Sequence, residues 1–320
     1  MINIAIVGLG NIAPRVAQGV SFTKDACLYA VASTSKEKAL DFKEKYNAQV
    51  AYDNYEDVYK DTNIDLVYLC TPNHLHYDQI ISCFNYNKHV ICEKPMVATT
   101  QEVKELFEIA RSKNLFLMEA QKTVFTNLHS EIQKIINNNE IGEVISIRAD
   151  YCYNLEYQSF KEDHWVFNEK SGGCLKDVGV YPICFANSIS NSSVKTVTGQ
   201  KYTNNNYKCD FGGVGIIEYQ NGIKATIECS WFYDSIDRGY AIIFGTKGKI
   251  EVPTYWKGNK CKVIYDDGNI KEVSVYQDSD FTNEIQEAIN CIVNNQIQSK
   301  KMNEEKIIEI MKVIKVISES

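Results

Sequence analysis

Five strand-length apolar runs, separated by segments with helical periodicity, fill the first 120 residues, and this alternation constrains the fold more than any other feature. The runs are Asn3–Leu9, Cys27–Ser33, Ile64–Cys70, His89–Cys92 and Leu115–Ala120; between them, Ala13–Ser21, Lys36–Tyr46, His76–Asn85 and Thr100–Lys113 read as helices. Strands that are apolar throughout are buried on both faces, so the pattern predicts a parallel sheet covered by helices on each side, a doubly wound α/β domain over residues 1–120. From residue 121 the texture changes. A helix over His129–Asn139 leads into a strand over Val144–Asn154, and later segments such as "CDFGGVGIIEY", "IKATIECSWFY" and "GYAIIFGT" alternate with period two. Alternation predicts an open, mostly antiparallel sheet with one wet face, hence an α+β domain over 121–320. Two helices, Phe281–Asn295 and Asn303–Ser318, close the chain, and the C-terminal helix is free to pack back on the first domain. "YTNNNY", Tyr202–Tyr207, reads as a loop tip.

A chain of 320 residues with 44% hydrophobic content can bury two ordinary cores. Its longest apolar runs are far short of the roughly 18–20 residues that cross a bilayer. "MINIAIVGLG" enters a strand at once and lacks a basic leader, so no signal peptide is expected and the location expected is cytoplasmic. The eleven cysteines include no CxxC pair and mostly sit in apolar stretches, as reduced structural thiols do. A net charge of −7 argues against the basic stripe of a nucleic-acid binder. It does not exclude a nucleotide cofactor, which a helix N-terminus can hold with backbone N–H groups alone.

"VGLGNIAP" places Gly8, Gly10 and Ala13 as GxGxxA between the first strand and first helix, the context a dinucleotide fingerprint requires. After the second strand, where an acidic residue would bind the ribose 2′-hydroxyl of NAD, stand Ser33, Thr34 and Ser35, then Lys36 and Lys38. A 2′-phosphate fits such a loop, which predicts NADP in preference to NAD; the same residues also suffice to cap the next helix. "TPNHLHY" puts Thr71, Pro72, Asn73 and His76 at the carboxyl edge of the sheet, where ligands of such sheets bind. His74 and His76 form HxH, but nothing nearby completes a metal-ligand set, so no metal is expected.

"GLGNIA", "TPNHLHY", "KHVICEKP", "LFLMEA", "IGEVISIRADY", "SGGCLKDVGVYP" and "FGTKGKIEVP" follow one another in an order and spacing that resembles the glucose-fructose oxidoreductase/inositol dehydrogenase (Gfo/Idh/MocA) family over nearly the whole chain. The resemblance implies that Lys94 of the EKP motif lies beside the nicotinamide and the substrate hydroxyl, commonly with a cis bond before Pro95. It also implies that Asn11, Ile12, Glu93 and Gln121 join the cofactor site. Asp177 and Tyr181, four residues apart after Gly172 and Gly173, project from one helical face. Many family members have histidine where this chain has Tyr181; the branch with tyrosine includes dimeric dihydrodiol and xylose dehydrogenases. A phenol becomes a usable acid or base when a lysine cation lies close, and Lys94 is expected to supply that charge. Tyr181 is then the proton-transfer group, with Asp177 orienting the substrate or Lys94.

The chain departs from the family after "MEA": Val124 and Asn127 replace an arginine and a proline, with Lys122 nearby as a substitute charge, and Ser171 stands where a third glycine is common. The resulting expectation is an NAD(P)-dependent oxidoreductase acting on a secondary alcohol or ketone of a sugar, polyol or cyclic diol. Two other readings stay open, a cofactor-binding regulator without turnover and a glycosidase with tightly held NAD. Homodimers or homotetramers are expected through the partly apolar face of the second sheet, since large apolar patches rarely stay exposed.

Overall fold

The computed structural model of the chain describes residues 1–158, 164–169 and 171–320. They form two compact units, Met1–Lys122 with Asp278–Ile307, and Thr123–Gln277 with Ile308–Ser320.

The first unit is built on six parallel strands, β1 (Ile2–Val7), β2 (Ala26–Ala32), β3 (Val50–Tyr52), β4 (Leu66–Leu69), β5 (His89–Glu93) and β6 (Leu117–Ala120), in the order β3-β2-β1-β4-β5-β6. That is the doubly wound order, with its reversal between β1 and β4. Ile4, Ile6, Leu66, Val67, Val90 and Ile91 are fully buried, as continuous apolar runs require. The helices are α1 (Ala13–Ser21), α2 (Lys36–Tyr46), α3 (Glu56–Lys60), α4 (His76–Asn85), α5 (Thr100–Lys113) and α8 (Thr282–Val293). Local chemistry sets their ends. Thr99 and Glu102 close a reciprocal capping box on α5, and Asn114 ends it with a left-handed φ of 54°. The later segment packs on α1 through Gly19, where an added Cβ would lie 2.7 Å from Phe281 Cβ. The short strand β3 and helix α3 were not expected from the sequence; β3 spans only three residues, all half-buried.

The second unit carries eight strands in the order β14-β13-β12-β11-β7-β10-β9-β8. They are β7 (Val144–Cys152), β8 (Val194–Thr203), β9 (Asp210–Tyr219), β10 (Lys224–Ser230), β11 (Tyr240–Gly245), β12 (Gly248–Pro253), β13 (Lys260–Tyr265) and β14 (Ile270–Ser274). All pairs are antiparallel except β7 with β10. Helix α7 (Val180–Ser190) covers one face over β7 and β10. The other face carries a row in which Ile216, Thr226, Arg148, Ile242 and Glu251 are successive cross-strand neighbours, so it is part apolar and part charged. Strand β8 is a departure from expectation: this edge strand takes in Tyr202 and Thr203, the start of the expected loop tip. Helix α6 (Asn127–Asn137) begins two residues before its expected start because Thr126 caps it, its hydroxyl accepting from His129 N at 3.1 Å. The last helix, α9 (Glu304–Ser318), runs through the unit boundary at Ile307. Among the described residues no helix is long and apolar enough to cross a membrane.

Candidate active site

At the carboxyl edge of the first sheet, the loops after β1 and β4 leave side by side. Gly8 has φ +90°, and a Cβ there would lie 2.8 Å from Thr71 Cγ2 and 2.9 Å from the backbone of Cys70. Only glycine lets the two loops approach so closely. At Gly10 an added Cβ meets nothing within 4 Å, so the backbone faces open space. Exposed Asn11 and half-buried Ile12 complete this loop. Helix α1 starts without a side-chain cap, and Pro14 occupies its first turn. Uncapped N–H groups and the positive end of the helix dipole suit a pyrophosphate, so the residues present fit a dinucleotide.

After β2, Ser33 is buried and its hydroxyl accepts from Ser35 N at 3.2 Å. Ser35 in turn caps α2, accepting from Lys38 N at 3.4 Å. The capping role is thus carried by Ser35, while Thr34, Lys36 and Lys38 are exposed. After β4, Thr71 donates to Gln79 Oε1; Pro72 is half-buried and Asn73 buried. His76 is 1% exposed, with Nε2 2.8 Å from Thr71 O and Nδ1 3.1 Å from Pro95 O. Burial lowers its imidazole pKa against the pull of those carbonyls. The ring ties the β4 loop to the β5 loop from behind.

Glu93 ends β5, and Lys94 follows with a cis bond to Pro95. Lys94 N donates to Glu93 Oε2 at 3.3 Å, and Met96 N to Glu119 Oε2 at 2.7 Å, which anchors both sides of the turn that carries Lys94. Gln121, fully buried after β6, donates to Glu119 Oε1 at 3.0 Å, while its Oε1 meets no protein partner. A buried amide oxygen without a donor suits a bound group that brings one. Lys122 is buried against Asp280 at 3.1 Å and over the Phe281 ring at 4.9 Å; burial lowers its pKa to about 8. Arg15 shares Asp280.

In the second unit, Gly172 and Gly173 lead into a π-helical turn, Leu175–Gly179, that continues as α7. The turn is π rather than regular α, a form often found at functional sites. Asp177 lies in it, half-buried, and accepts from the Tyr153 hydroxyl at 3.0 Å. Tyr181, in the first turn of α7, is 8% exposed, its ring 5.4 Å from Tyr151 and 5.6 Å from Trp256. Tyr151 and Trp256 are themselves stacked at 4.9 Å. These rings fix the phenol by packing.

Sequence reasoning missed two supports of this helix. Tyr153 holds Asp177, and Asp210 anchors the turn, accepting from Leu175 N at 2.8 Å across the strand–helix interface. Gly173, at φ +101°, leaves room for the Asp210 carboxyl. Burial raises the Asp210 pKa to about 6, although the Leu175 N–H and Lys176 draw it down. A carboxyl raised in the folded state stabilises it fully below the unfolded pKa, near 4, and that contribution is lost as pH rises through the folded value. Stability should therefore fall by about 3 kcal/mol between roughly pH 4 and 6 on this account. Asp210→Asn, which keeps the acceptor for Leu175 N, should flatten that part of the profile; equal slopes in urea titrations of the two proteins would refute the assignment.

Of the residues that depart from the expected pattern, Val124 is buried, and Asn127 donates to Gln277 Oε1 from its backbone at 2.9 Å and to Tyr276 O from its side chain at 2.6 Å. Ser171 is buried, its N donating to Asn168 Oδ1 at 3.0 Å. Exposed His74 and buried His76 stand apart in environment. Among the described residues no group of three or more His, Cys, Asp or Glu could hold a metal ion.

Residues 2–121 match the model of an oxidoreductase family with an NAD-binding Rossmann fold, and residues 129–251 match the GFO/IDH/MocA C-terminal domain. The scyllo-inositol 2-dehydrogenase (NADP(+)) IolU of Bacillus subtilis is 30% identical over 98% of this chain and 95% of its own. The chain belongs to the Gfo/Idh/MocA oxidoreductase family. Another member, the trans-1,2-dihydrobenzene-1,2-diol dehydrogenase of Xenopus tropicalis, is 30% identical over 72% of this chain and 68% of its own. Among solved structures, a levoglucosan dehydrogenase in complex with NADH has the same fold, with a TM-score of 0.88 at 18% identity, covering 99% of this chain and 96% of that one. KijD10, a 3-ketoreductase of Actinomadura kijaniata in complex with NADP and TDP-benzene, gives 0.86 at 20% identity over 99% and 96%. Within this Gfo/Idh/MocA chain the EKP lysine and the helix-borne tyrosine, expected from separate motifs, each sit on a rigid element. Lys94 directly follows a strand and Tyr181 lies in the first turn of a helix.

Proposed function

We propose that this chain is an NADP-preferring dehydrogenase or reductase that interconverts a secondary alcohol and its ketone on a sugar, polyol or cyclic diol. The observation that carries the reading is Lys94 at the carboxyl end of β5, in a chain that aligns over almost all its length with a relative named as an NADP-dependent inositol dehydrogenase. When bound, the nicotinamide supplies the atom that takes or gives the hydride. Lys94 binds and polarises the substrate oxygen. Tyr181 takes the alcohol proton in oxidation and returns it to the carbonyl oxygen in reduction, and Asp177, held by Tyr153, orients the substrate. The loop at Ser33, Thr34 and Lys38 receives the 2′-phosphate, and the carbonyl of Gln121 accepts from the nicotinamide amide. The β4 loop, with Thr71, Pro72 and Asn73, lines the cofactor.

Retention of both Lys94 and Tyr181 favours turnover over a purely sensing role. A screen of aldoses, polyols, inositols and cyclic diols with free NADP and NAD, read by nicotinamide absorbance, is the test. Turnover of free NADP with at least one class is expected. Silence across the panel would support the regulator, and activity on glycosides with no free-cofactor turnover would support the glycosidase.

The mixed face of the second sheet, with Ile216 52% exposed, favours homodimers or homotetramers. The eleven cysteines, all thiols outside any disulfide and nine of them buried, favour a reducing compartment such as the cytoplasm. A monomer by light scattering at micromolar concentration would remove the assembly, and cell fractionation tests the compartment.

A further inference from the structure

The hydrogen-bond accounting around Glu93 does not close unless a carboxyl in the first unit carries a proton. Tyr68, on β4, is fully buried, and its hydroxyl lies 2.9 Å from Glu284 Oε1 and 3.2 Å from Glu93 Oε1. A phenol has one hydrogen to donate and lone pairs to accept with. It can serve one carboxylate; the other must bring a hydrogen of its own.

Glu284 is placed to do so. It is 0% exposed in the first turn of α8, and its Oε2 meets no hydrogen-bond partner. Burial raises the Glu93 pKa too, opposed by Lys94 and Lys122, but both Glu93 oxygens are partnered, Oε1 by Tyr68 and Oε2 by Lys94 N at 3.3 Å. A buried carboxylate with an unpartnered oxygen is costly, whereas a neutral carboxyl is much less so. The helix dipole at the start of α8 favours an anion, but that effect is the smaller of the two. Burial, then the neighbouring charge of Glu93, raises the Glu284 pKa well above the usual carboxylate range, with Lys122 opposing and Asp280 adding. The Cys70 thiol also faces the pair, and burial keeps it protonated.

The surrounding charges agree. Asp280 is matched by Lys122 and Arg15, while Lys94 faces Glu93 and Glu119. With Glu284 neutral, the cations Arg15, Lys94 and Lys122 balance the anions Glu93, Glu119 and Asp280; with it ionised, one negative charge is left over in the interior.

We propose that Glu284 holds a proton and donates it to the Tyr68 oxygen, while Tyr68 donates to Glu93, so that Glu93 stays ionised at the head of the strand that presents Lys94. Tyr68 and Glu284 are positioning residues for that charge. The line also permits a transfer: the Glu284 proton moves to the Tyr68 oxygen as the Tyr68 proton moves to Glu93. One carboxylate is lost, one is formed, and nothing is drawn from solvent. The functional consequence rests on the proposed function above. A negative Glu93 favours the oxidised, positively charged nicotinamide over the reduced one.

The difference infrared spectrum of ligand-free wild type against Glu284→Gln should contain the carbonyl band of a protonated carboxyl at neutral pH. Its absence would overturn the proposal, as would a band that persists in Glu284→Gln and vanishes in Glu93→Gln. Calorimetry with NADP⁺ and NADPH then tests the consequence. Tyr68→Phe, which removes the donor to Glu93, should lose about tenfold in preference for the oxidised form, the scale of one charge several ångströms away in a protein-like dielectric. Glu284→Gln, whose amide can donate to Tyr68 as the acid does, should retain the wild-type ratio. An unchanged ratio in a folded Tyr68→Phe would refute the role; should that variant not fold, the wild-type band and the Gln variant decide. The infrared result needs no turnover, so a protein with the band that oxidises no alcohol would count against the enzymatic reading alone.

Discussion

Tyr181→Phe is expected to reduce turnover by about 10²-fold or more while cofactor affinity stays nearly unchanged. The substitution removes a hydroxyl and keeps the ring, and the ring is what packs against Tyr151 and Trp256. Loss of activity in a protein that melts normally therefore reports on proton transfer. Lys94→Met should cost at least as much, since it removes a charge and a hydrogen bond at once. The rate of alcohol oxidation should rise with pH, because the proton acceptor must be deprotonated, and the midpoint of that rise should move to higher pH in Lys94→Met. The double variant should lose much less than the product of the two single losses if both residues act on one substrate oxygen. Strict additivity would separate their roles. A fully active Tyr181→Phe would pass the proton to another group, and Asp177 is the better candidate than His76, whose ring nitrogens are engaged with the carbonyls of Thr71 and Pro95.

The elements that positioned this chemistry were legible where burial is two-sided. Ile4 to Val7 in β1 and Leu66 to Leu69 in β4 are all fully buried, and such runs leave an unbroken apolar signature in the sequence. Strand β8 left none. It is an edge strand whose residues are half-buried or exposed, so its apolar and polar positions are mixed, and its existence depends on pairing with β9. The same distinction holds at the site. Gly8, Lys94 and Tyr181 could be found because their neighbours in sequence make the motif. Asp210, Tyr153 and Glu284 could not, because each acts through a partner 35, 24 and 216 residues away, respectively. Glu284 in particular lies four residues before Ala288 on the buried side of α8, but nothing in its neighbours in sequence names Tyr68 as its partner. The π-helical turn was invisible for a further reason. A spacing of four keeps Asp177 and Tyr181 on nearly one face in either helical form, so the side-chain pattern carries no information on the backbone bonding.

The native protein is expected to bind NADP more tightly than NAD, and Ser33→Asp should reverse that order. Ser33 follows β2 directly, at the position where an acidic side chain would take the ribose hydroxyls, and the residues from Ser33 to Lys36 include no carboxylate. A carboxylate roughly 4 to 5 Å from the 2′-phosphate would repel it by about 3 to 4 kcal/mol per charge at an effective dielectric of about 20. Solvent and salt at this exposed loop reduce the figure, so a net shift of about 10- to 10²-fold against NADP is the realistic expectation. The new carboxylate can also accept from the free ribose hydroxyls of NAD, which moves the ratio further in the same direction. Helix α2 should survive the change, because its cap is Ser35 rather than Ser33. Ser33→Ala is the necessary control: it removes the hydroxyl that accepts from Ser35 N without adding charge, and it should weaken NADP only slightly. Raising the salt concentration should narrow the native preference, since exposed Lys36 and Lys38 act on the phosphate through solvent. Calorimetry that finds NAD bound more tightly by the native protein would reverse the reading of this loop, and Ser35, Lys36 and Lys38 would then be no more than the start of a helix.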